Sequence, residues 1–454
     1  MNTSRRQFLK SVAPIAGILG VPNILRGANL NTRAQHACIG VGGMMGFNDL
    51  QNFKQHSRTD IVAICDVDAG NLKRAQKEVP SARPYRDWRE MLEKEGGKID
   101  SINATVPDHM HAAICHTAMQ AGKHVYCQKP MCHDVGEVRA LTRLAAEKNL
   151  KTQLGNQHSS GTGDRMAVEY LKAGAIGKIK HVYLCSNRAS GMSYRLDQPQ
   201  PPQAPVPAGL EWDLWLGTAP VRPFAADVYH PSRWRSWLDF GTGWSGDIGC
   251  HILSAPWKAL GLKAPMSIEA RVNKGWLDSP ALRAQLWPRA NHVTWVFPGN
   301  GLTAGGKPLT VEWFDGAEPD FYIPAEFRKL YPGANFPEEA ALFIGEEGAL
   351  LLPHTSGPQL LPREKFAAVA RPQVKGENHY HSFLNSILDN TPCESSFDIS
   401  GAMSEAVILG TVAIRTPGVK LDWDAPALKI TNSSAADALL RRSYRDGWKI
   451  PGLG

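Results

Sequence analysis

Asp247 and His251 stand four residues apart in the segment 246–251, which reads Gly-Asp-Ile-Gly-Cys-His. If this segment is helical, both side chains lie on the same face of the helix. A histidine titrates near neutral pH and can take the proton of a hydroxyl group, while a carboxylate beside it orients the ring or binds a second hydroxyl. The spacing therefore indicates acid–base chemistry on a hydroxyl. The alternative is an ordinary ion pair on a helix surface.

Lys129 follows the apolar run 124–127 and Gln128, and it precedes Pro130. Ligands of parallel sheets bind beyond the carboxyl ends of the strands, so a lysine at such an end is placed to face a ligand. Its charge would stabilise alkoxide character on the oxygen that loses a proton. A lysine in a solvated surface loop is the alternative interpretation.

The segment 40–46 reads Gly-Val-Gly-Gly-Met-Met-Gly and lies between an apolar run and a helical pattern. Glycines there permit a tight turn and a close approach of the backbone to a pyrophosphate, which then sits on a helix N-terminus. The third glycine of the dinucleotide pattern is replaced by Met45, and Gly46 follows one place late, so we expect a slightly displaced helix. The alternative is a structural turn without a nucleotide.

Asp66 ends the next apolar run, about 20 residues after the glycines, as the acidic residue of a dinucleotide site does. A carboxylate at this point hydrogen-bonds ribose hydroxyls and repels a 2′-phosphate, so NAD is favoured over NADP. The cofactor-binding residues predicted from these two segments are Gly40, Gly42, Gly43, Met44 and Asp66.

Short apolar runs and helical patterns must position these groups. The runs at 37–41, 61–65, 99–105, 124–127 and 152–154 predict strands. Helical patterns at 46–56, 69–78, 87–95, 109–121 and 135–148 alternate with them, which is typical of a doubly wound parallel sheet. From about residue 157 apolar and polar residues alternate at 179–186, 266–272, 292–297 and 309–314, which predicts half-buried antiparallel strands.

Four motifs in this order resemble the Gfo/Idh/MocA oxidoreductases, relatives of glucose–fructose oxidoreductase and inositol dehydrogenase. They are the glycine-rich turn, the loop 105–111 (Thr-Val-Pro-Asp-His-Met-His), Lys129-Pro130 and the segment 246–251. The stretches 377–380, 401–415 and 444–448 resemble the exported branch of that family. The chain departs from the family pattern at Met45 and at Gln128, where a glutamate is usual.

The resemblance implies an α/β chain with two domains. Residues 34–156 would form an NAD-binding Rossmann domain, and residues 157–454 a substrate-binding α+β domain with an open, mainly antiparallel sheet. The last helices would pack back on the first domain, and the exposed face of the second sheet would form a homo-oligomer.

The resemblance also implies a tightly held NAD and a site that oxidises a carbohydrate. Lys129, Asp247 and His251 match the catalytic positions of the family. The further cofactor-binding residues, at the ends of the predicted strands, are Thr105, Pro107, His111, Gln128 and Lys129.

An aromatic cluster precedes Asp247, with Trp212, Trp215, Tyr229, His230, Trp234, Trp237 and Trp244. Indole and phenol rings offer flat faces to the apolar side of a sugar, although packing in a core is the alternative for any one of them. The predicted substrate-binding residues are Lys129, Tyr229, Trp234, Arg235, Trp237, Asp247, His251 and His379, the last because it resembles a family position near the substrate.

Residues 1–28 carry Arg5, Arg6, Lys10 and Arg26 and no acidic residue. Paired arginines followed by Phe-Leu-Lys and a short apolar stretch resemble a twin-arginine export signal, which we assign with its linker to residues 1–33. We expect recognition by the twin-arginine machinery and a periplasmic protein, or one anchored to the outer face of the inner membrane if the signal is not cleaved.

Composition and motif spacing argue against several other classes. The four bases of the signal account for more than half of the formal net charge of +7, and no basic stripe with interleaved aromatics suggests nucleic acid. Eight scattered cysteines in apolar surroundings predict buried thiols rather than disulfides. The histidines of 108–111 and 133 and the nearby cysteines lack metal-ligand spacing, so no metal is expected.

Three functions follow from the sequence. The first is an NAD(P)-dependent oxidoreductase that transfers a hydride between nicotinamide and a sugar or polyol hydroxyl. The second is an NAD-dependent glycoside-cleaving enzyme of the same superfamily, in which oxidation is transient and no net redox change results. The third is a non-catalytic relative that binds sugar or nucleotide.

Overall fold

The computed structural model describes residues 32–188, 197–333 and 335–453. Nearly all of the predicted export signal therefore lies outside the described residues.

The first part of the chain forms a six-stranded sheet with the strand order β3-β2-β1-β4-β5-β6, in which every neighbouring pair is parallel. Five helices connect its strands. The strands are β1 Ala34–Ile39, β2 Thr59–Cys65, β3 Arg83–Tyr85, β4 Ser101–Ala104, β5 His124–Gln128 and β6 Thr152–Gly155. The helices are α1 Gly43–Lys54, α2 Ala69–Glu78, α3 Trp88–Glu95, α4 Asp108–Gln120 and α5 Val135–Glu147.

Local side chains fix where these helices begin. Asp68 accepts backbone N–H groups at the start of α2, and Asp87 does so at the start of α3. Asp134 and Glu137 form a capping box at the start of α5. The predicted strands and helices are confirmed, but β3 was missed because it is a three-residue edge strand with a proline and little burial.

The second part of the chain forms a nine-stranded sheet with the order β13-β12-β11-β7-β10-β9-β8-β14-β15. Only β7 and β10 pair in parallel in the described part of this sheet. The strands are β7 Ile179–Ser186, β8 Ser267–Val272, β9 Asn291–Phe297, β10 Leu309–Asp315, β11 Glu339–Gly345, β12 Ala349–Pro353, β13 Gln359–Leu361, β14 Leu421–Asp424 and β15 Lys429–Ile430. The sheet confirms the predicted fold class of a Rossmann domain followed by a mainly antiparallel α+β domain.

Helices also lie in the second part of the chain, on both sides of this sheet. They are α6 Thr162–Lys172, α7 Trp212–Leu216, α8 Gly243–Ile252, α9 Ser254–Leu260, α10 Lys274–Leu277, α11 Pro280–Gln285, α12 Ala325–Arg328, α13 His379–Asp389, α14 Phe397–Arg415 and α15 Ser434–Asp437. Val182 and Leu184 of β7 join a core with residues of α8 and α14. Tyr183 and Cys185, on the opposite face, lie in a smaller cluster with Phe327.

Two late helices pack back on the first domain. Phe383 of α13 contacts Phe53 of α1, with ring centroids 6.5 Å apart. Helix α14 packs on α5 of the first domain and on α8 and β8 of the second. Among the described residues α14 alone is long and apolar enough to cross a membrane, but 83% of its apolar window is buried inside the protein, as in a core helix.

All eight cysteines are buried free thiols, which confirms that the cysteine pattern is not a disulfide framework.

Candidate functional site

The carboxyl ends of β1, β2, β4 and β5 border a cleft of about 390 Å³. Nearly every residue predicted to bind a cofactor lines it. These are Gly40, Gly42, Gly43, Met44, Asp66, Thr105, Pro107, Gln128 and Lys129.

The glycine-rich turn packs its backbone closely against neighbouring segments. Gly40 has φ +79°, and a Cβ there would lie 2.0 Å from the carbonyl oxygen of Thr105. A Cβ on Gly46 would lie 2.6 Å from the carbonyl oxygen of Gly40. Gly46 therefore provides the close helix–strand contact expected of the third glycine, and α1 begins at Gly43 with no side-chain cap and no acidic residue in its first turn. Free N–H groups at that end fit a pyrophosphate.

Asp66 lines the cleft directly after β2, where the dinucleotide pattern places its acidic residue. Its carboxylate accepts the backbone N–H of Val41 at 3.0 Å and that of Asp68 at 2.9 Å. Burial raises the pKa of Asp66, and these bonds oppose the rise. A carboxylate has about four acceptor positions, so Asp66 retains capacity for ribose hydroxyls.

The segment 204–241 forms the opposite wall of the cleft. Its backbone pairs with the loop after β2, where Ala69 N donates to Gly209 O at 2.9 Å and Glu211 N donates to Val67 O at 3.0 Å. His230 contacts the carboxylate of Asp68 at 3.1 Å. The segment thus covers the part of the cleft that Asp66 borders.

The loop 105–111 anchors this wall. Asp108 accepts the backbone N–H of Thr242 at 3.0 Å and its hydroxyl at 2.9 Å. Both ring nitrogens of His109 lie against carbonyl oxygens of Trp215 and Phe240. Burial, together with the charge of Asp247, raises the pKa of Asp108 to about 7.

Lys129, Asp247 and Arg235 meet at the inner end of the cleft. Lys129 Nζ donates to Asp247 Oδ1 at 2.9 Å, with side chains 9% and 5% exposed, and Arg235 Nε donates to the same oxygen at 3.2 Å. Burial alone would raise the pKa of Asp247, but the two cations outweigh burial and hold this pKa below its usual value. Asp247 is therefore ionised and fixes the lysine ammonium.

His251 lies one turn after Asp247 on α8, as the four-residue spacing predicts. Its Nδ1 is buried and has no hydrogen-bond partner in the described residues. Burial and the charge of Lys129 lower the pKa of His251 well below its usual value. The ring is therefore a neutral base that no protein group occupies. Two other rings lie beside it, His158 at 5.8 Å and His354 at 5.2 Å between centroids.

The remaining predicted residues divide between cleft and core. Trp234 and Arg235 line the cleft, with the guanidinium over the indole at 4.2 Å. Trp234 also belongs, with Tyr229 and Trp237, to the internal core of the segment 204–241. Tyr229 and Trp237 do not line the cleft, and Trp237 is 1% exposed with its Nε1 bonded to Val228 O.

His111 and His379 also serve packing. His111 contacts the carbonyl oxygens of Pro130 and Val106, which ties two loops of the cleft together. His379 contacts Ser160 Oγ at 2.6 Å and Leu154 O at 2.8 Å. Both ring nitrogens of each histidine are thus occupied, and neither ring is available to a ligand.

Asp49 of α1 is a buried carboxylate that the sequence reading missed. It accepts from Thr105 Oγ1 at 2.7 Å, Gln128 Nε2 at 2.8 Å and Tyr380 OH at 2.8 Å. Burial raises the pKa of Asp49 to about 6. An acidic residue on the apolar face of a predicted helix was the available signal, because such a residue needs partners.

Comparison with known proteins agrees with this geometry. The model described as the NAD-binding Rossmann fold of an oxidoreductase family, GFO_IDH_MocA, matches residues 35–156. The model of the C-terminal alpha/beta domain of that oxidoreductase family matches residues 182–281.

Several characterised relatives are similar over part of the chain. Levoglucosan dehydrogenase of Pseudarthrobacter phenanthrenivorans is 26% identical over 168 residues, which cover 37% of this chain and 34% of the relative. Glycosyl hydrolase family 109 protein 1 of Shewanella sp. strain ANA-3 is 24% identical over 208 residues, 40% of this chain and 45% of the relative. Inositol 2-dehydrogenase of Salmonella typhimurium is 26% identical over 140 residues, 30% of this chain and 41% of the relative. Each match spans less than half of the relative's own length.

Solved structures share the fold over most of the chain. The WlbA dehydrogenase of Bordetella pertussis, in complex with NADH and UDP-GlcNAcA, is 14% identical with a TM-score of 0.59 and covers 86% of this chain and 99% of that one. Scyllo-inositol dehydrogenase of Lactobacillus casei, with bound NAD(H) and scyllo-inositol, is 17% identical with a TM-score of 0.54 and covers 85% of this chain and 96% of that one. With both domain models matched in order on this fold, the chain belongs to the Gfo/Idh/MocA family of oxidoreductases, whose first domain is an NAD-binding Rossmann fold.

Proposed function

We propose that this chain is an NAD-dependent oxidoreductase that acts on a hydroxyl group of a sugar or polyol. The observation that carries the proposal is the Lys129–Asp247 pair at 2.9 Å, in which Lys129 lines a glycine-rich cleft, with the unoccupied base His251 one helical turn after Asp247. Relatives named as levoglucosan and inositol dehydrogenases support a carbohydrate substrate.

Each group has a distinct task in this reaction. When bound, the nicotinamide supplies a hydride acceptor. His251, neutral because its pKa is lowered, takes the hydroxyl proton of the substrate. Lys129 donates a hydrogen bond to the same oxygen and stabilises its developing negative charge. Asp247 holds the lysine ammonium in place and keeps it from rotating away.

The residues of the cleft favour NAD over NADP and firm retention of the nucleotide. Asp66 presents a carboxylate where a 2′-phosphate would lie, and like charges repel. The segment 204–241 covers the adenosine side of the cleft through backbone bonds to the loop after β2. Glycines 40, 42 and 43 and the free end of α1 would hold the pyrophosphate.

The test is oxidation of a panel by purified, folded protein with NAD, followed at the nicotinamide absorbance. The panel contains levoglucosan, myo-inositol, D-glucose, D-galactose, D-xylose and D-glucuronate. Lys129→Ala and His251→Ala should each lower kcat/KM by about 10²-fold or more, while nucleotide affinity stays within a few-fold. Lys77→Ala, an exposed lysine on α2, is the matched control. Full turnover by either active-site variant would refute the assignment.

Glycoside cleavage with transient oxidation is the second candidate, favoured by the relative named glycosyl hydrolase family 109 protein 1. In that case a hydroxyl on the sugar ring is oxidised, elimination breaks the glycosidic bond, and the hydride returns to the product. Incubation with p-nitrophenyl glycosides separates the two functions. Release of p-nitrophenol without net NADH formation would establish cleavage, whereas stoichiometric NADH would establish the dehydrogenase.

We also propose that the protein is exported through the twin-arginine route and forms a homo-oligomer through its large sheet. The paired Arg5 and Arg6 support export. Cell fractionation of the wild type and of an Arg5→Lys/Arg6→Lys variant tests export, since the variant should stay in the cytoplasm. Light scattering of the purified protein tests the oligomer, and a monomer at micromolar concentration would refute it.

A further inference from the structure

Three histidines from distant parts of the sequence converge beside Lys129. His158 lies in the turn Gln157–Ser160 after β6, His251 lies on α8, and His354 follows β12. Their ring centroids are 4.5 Å apart for His158–His354, 5.2 Å for His251–His354 and 5.8 Å for His158–His251. We call these three residues the histidine cluster. It lies where the edge of the Rossmann sheet meets the second domain.

The ring nitrogens of the histidine cluster have no hydrogen-bond partner within the described ranges. Several other histidines of this chain differ in this respect, because both ring nitrogens contact a polar atom. This holds for His36, His109, His111 and His379. The buried Nδ1 of His116 also has no partner, so one such ring does not by itself indicate a site. Three such rings side by side, next to Lys129, indicate a binding surface.

The cluster is neutral at physiological pH. Burial, with His158, Arg188 and Lys129, lowers the pKa of His354 to about 3. Burial also lowers the pKa of His158, opposed by Glu339. The charged and titratable groups that face the three rings from neighbouring elements are Lys129, Arg188, Glu339 and His379. A neutral imidazole offers one donor and one acceptor, which is what a hydroxyl group also offers.

Two other ligands fit these rings less well. An anion would need a free cation, but Arg188 contacts Glu339 at 3.5 Å and lies over the ring of Trp244. Within the described parts of the chain no group of three His, Cys, Asp or Glu side chains is arranged to hold a metal ion. Adjacent neutral hydroxyls are the ligand that matches.

We propose that His158 and His354 bind hydroxyls next to the carbon on which His251 acts, so that the substrate is a neutral vicinal diol. This inference rests on the proposed function and assigns its substrate class. A substrate that lacks the adjacent hydroxyl leaves a buried imidazole unpaired, and the site therefore selects against deoxy sugars.

The test combines histidine variants with deoxy substrates. His158→Gln and His354→Gln are assayed with the panel member that the wild type oxidises fastest and with its monodeoxy forms. We expect each variant to raise KM about tenfold, with kcat changed less and nucleotide affinity unchanged. With the wild type, the deoxy form that lacks the contacted hydroxyl should also have a KM about tenfold higher. With the variant, removing that hydroxyl should raise KM little further, because the bond between them is already lost.

His181→Gln is the matched control, since His181 contacts Glu312 away from this site. The proposal is overturned by unchanged KM values in both variants, by additive losses, by a uronate preferred over its neutral sugar, or by a stoichiometric metal that is lost in His354→Gln.

If the wild type oxidises no panel member, the proposed function fails separately. The affinity of the NAD-loaded protein for myo-inositol, measured by calorimetry, then tests whether His158 and His354 bind hydroxyls. Binding that weakens about tenfold in both variants supports it, and absent or unaffected binding overturns it.

Discussion

Gln128, the residue directly before Lys129, donates a hydrogen bond from its Nε2 to Asp49 Oδ2 at 2.8 Å. The family pattern usually has a glutamate at position 128, and in this chain the glutamine there contacts a carboxylate of α1 instead. Thr105 and Tyr380 donate to the same carboxylate, which links the cofactor cleft to a helix late in the sequence. The negative charge near Lys129 is thus retained in a different covalent position.

We predict that Asp49 makes stability depend on pH. Burial raises the pKa of Asp49 in the folded protein to about 6, above its unfolded value, so the folded state binds the extra proton and loses stability as pH rises from 4 to 6. Asp49→Asn removes this loss. The unfolding free energy of the variant relative to wild type should therefore increase with pH, by at most about 1.4 kcal/mol per pH unit.

Urea unfolding at pH 4, 5, 6 and 7 measures this slope. Asp389→Asn is a control of opposite sign, because the pKa of Asp389 is lowered by its hydrogen bond to Arg58. A difference for Asp49→Asn that does not vary with pH would contradict the prediction.

The acid limb of the pH–rate profile should lie well below pH 6.5. His251 must be neutral to accept a proton, and burial with Lys129 lowers its pKa, so activity is retained as pH falls until the ring is protonated. Removing the lysine charge should move this limb to higher pH.

A profile of kcat/KM for the wild type, and NMR titration of the His251 ring in wild type and Lys129→Met, check both statements. Lys129→Arg, which keeps the charge, serves as the control. A ring that titrates at the same pH in all three proteins would refute the coupling.

Asp66 should set the preference between nucleotides. Asp66→Asn keeps an acceptor for only one of the Val41 and Asp68 N–H groups, and it removes the charge that repels a 2′-phosphate. The ratio of NAD to NADP affinity should fall about tenfold, mainly through tighter NADP binding. Calorimetry with both nucleotides measures the ratio, with Asp60→Asn as a control because Asp60 lies at the opposite end of β2. An unchanged ratio would show that Asp66 only stabilises the backbone around it and does not select the nucleotide.

Substitutions of Trp237 and Trp234 should affect different properties, namely stability for Trp237 and ligand affinity for Trp234. Trp237 is 1% exposed at the centre of its cluster, so Trp237→Ala should cost about 3–5 kcal/mol of unfolding free energy. Trp234 lines the cleft, so Trp234→Phe should change nucleotide or substrate affinity more than stability. Denaturant unfolding and KM values distinguish the two effects. Equal losses of stability in both variants would contradict the division.

Local patterns predict the acid–base pair, most strands of the first sheet and β7 to β10 of the second, because strand alternation and helix spacing are properties of short segments. They miss β3 and β11 to β15. The four-residue spacing of Asp247 and His251 places both on α8 without further information. Gly46 was read as a displacement, whereas the chain uses it for the third-glycine contact, since what matters is the distance to Gly40 in space.

Residues that meet across long separations were not predictable in this way. Asp49 and Tyr380 lie 331 positions apart, and His158, His251 and His354 come from three separate elements. The prediction that several aromatic residues before Asp247 bind substrate was imprecise for a related reason. Composition does not distinguish a ring that lines a cleft, such as Trp234, from one that lies only in a core, such as Trp237.

Helix α14 bears on how the whole chain melts. It is buried between α5 of the Rossmann domain and α8 and β8 of the second domain. Unfolding of either domain would therefore expose the apolar surface of α14 to water. We therefore expect the two parts of the chain to unfold together, because one apolar core includes residues of both.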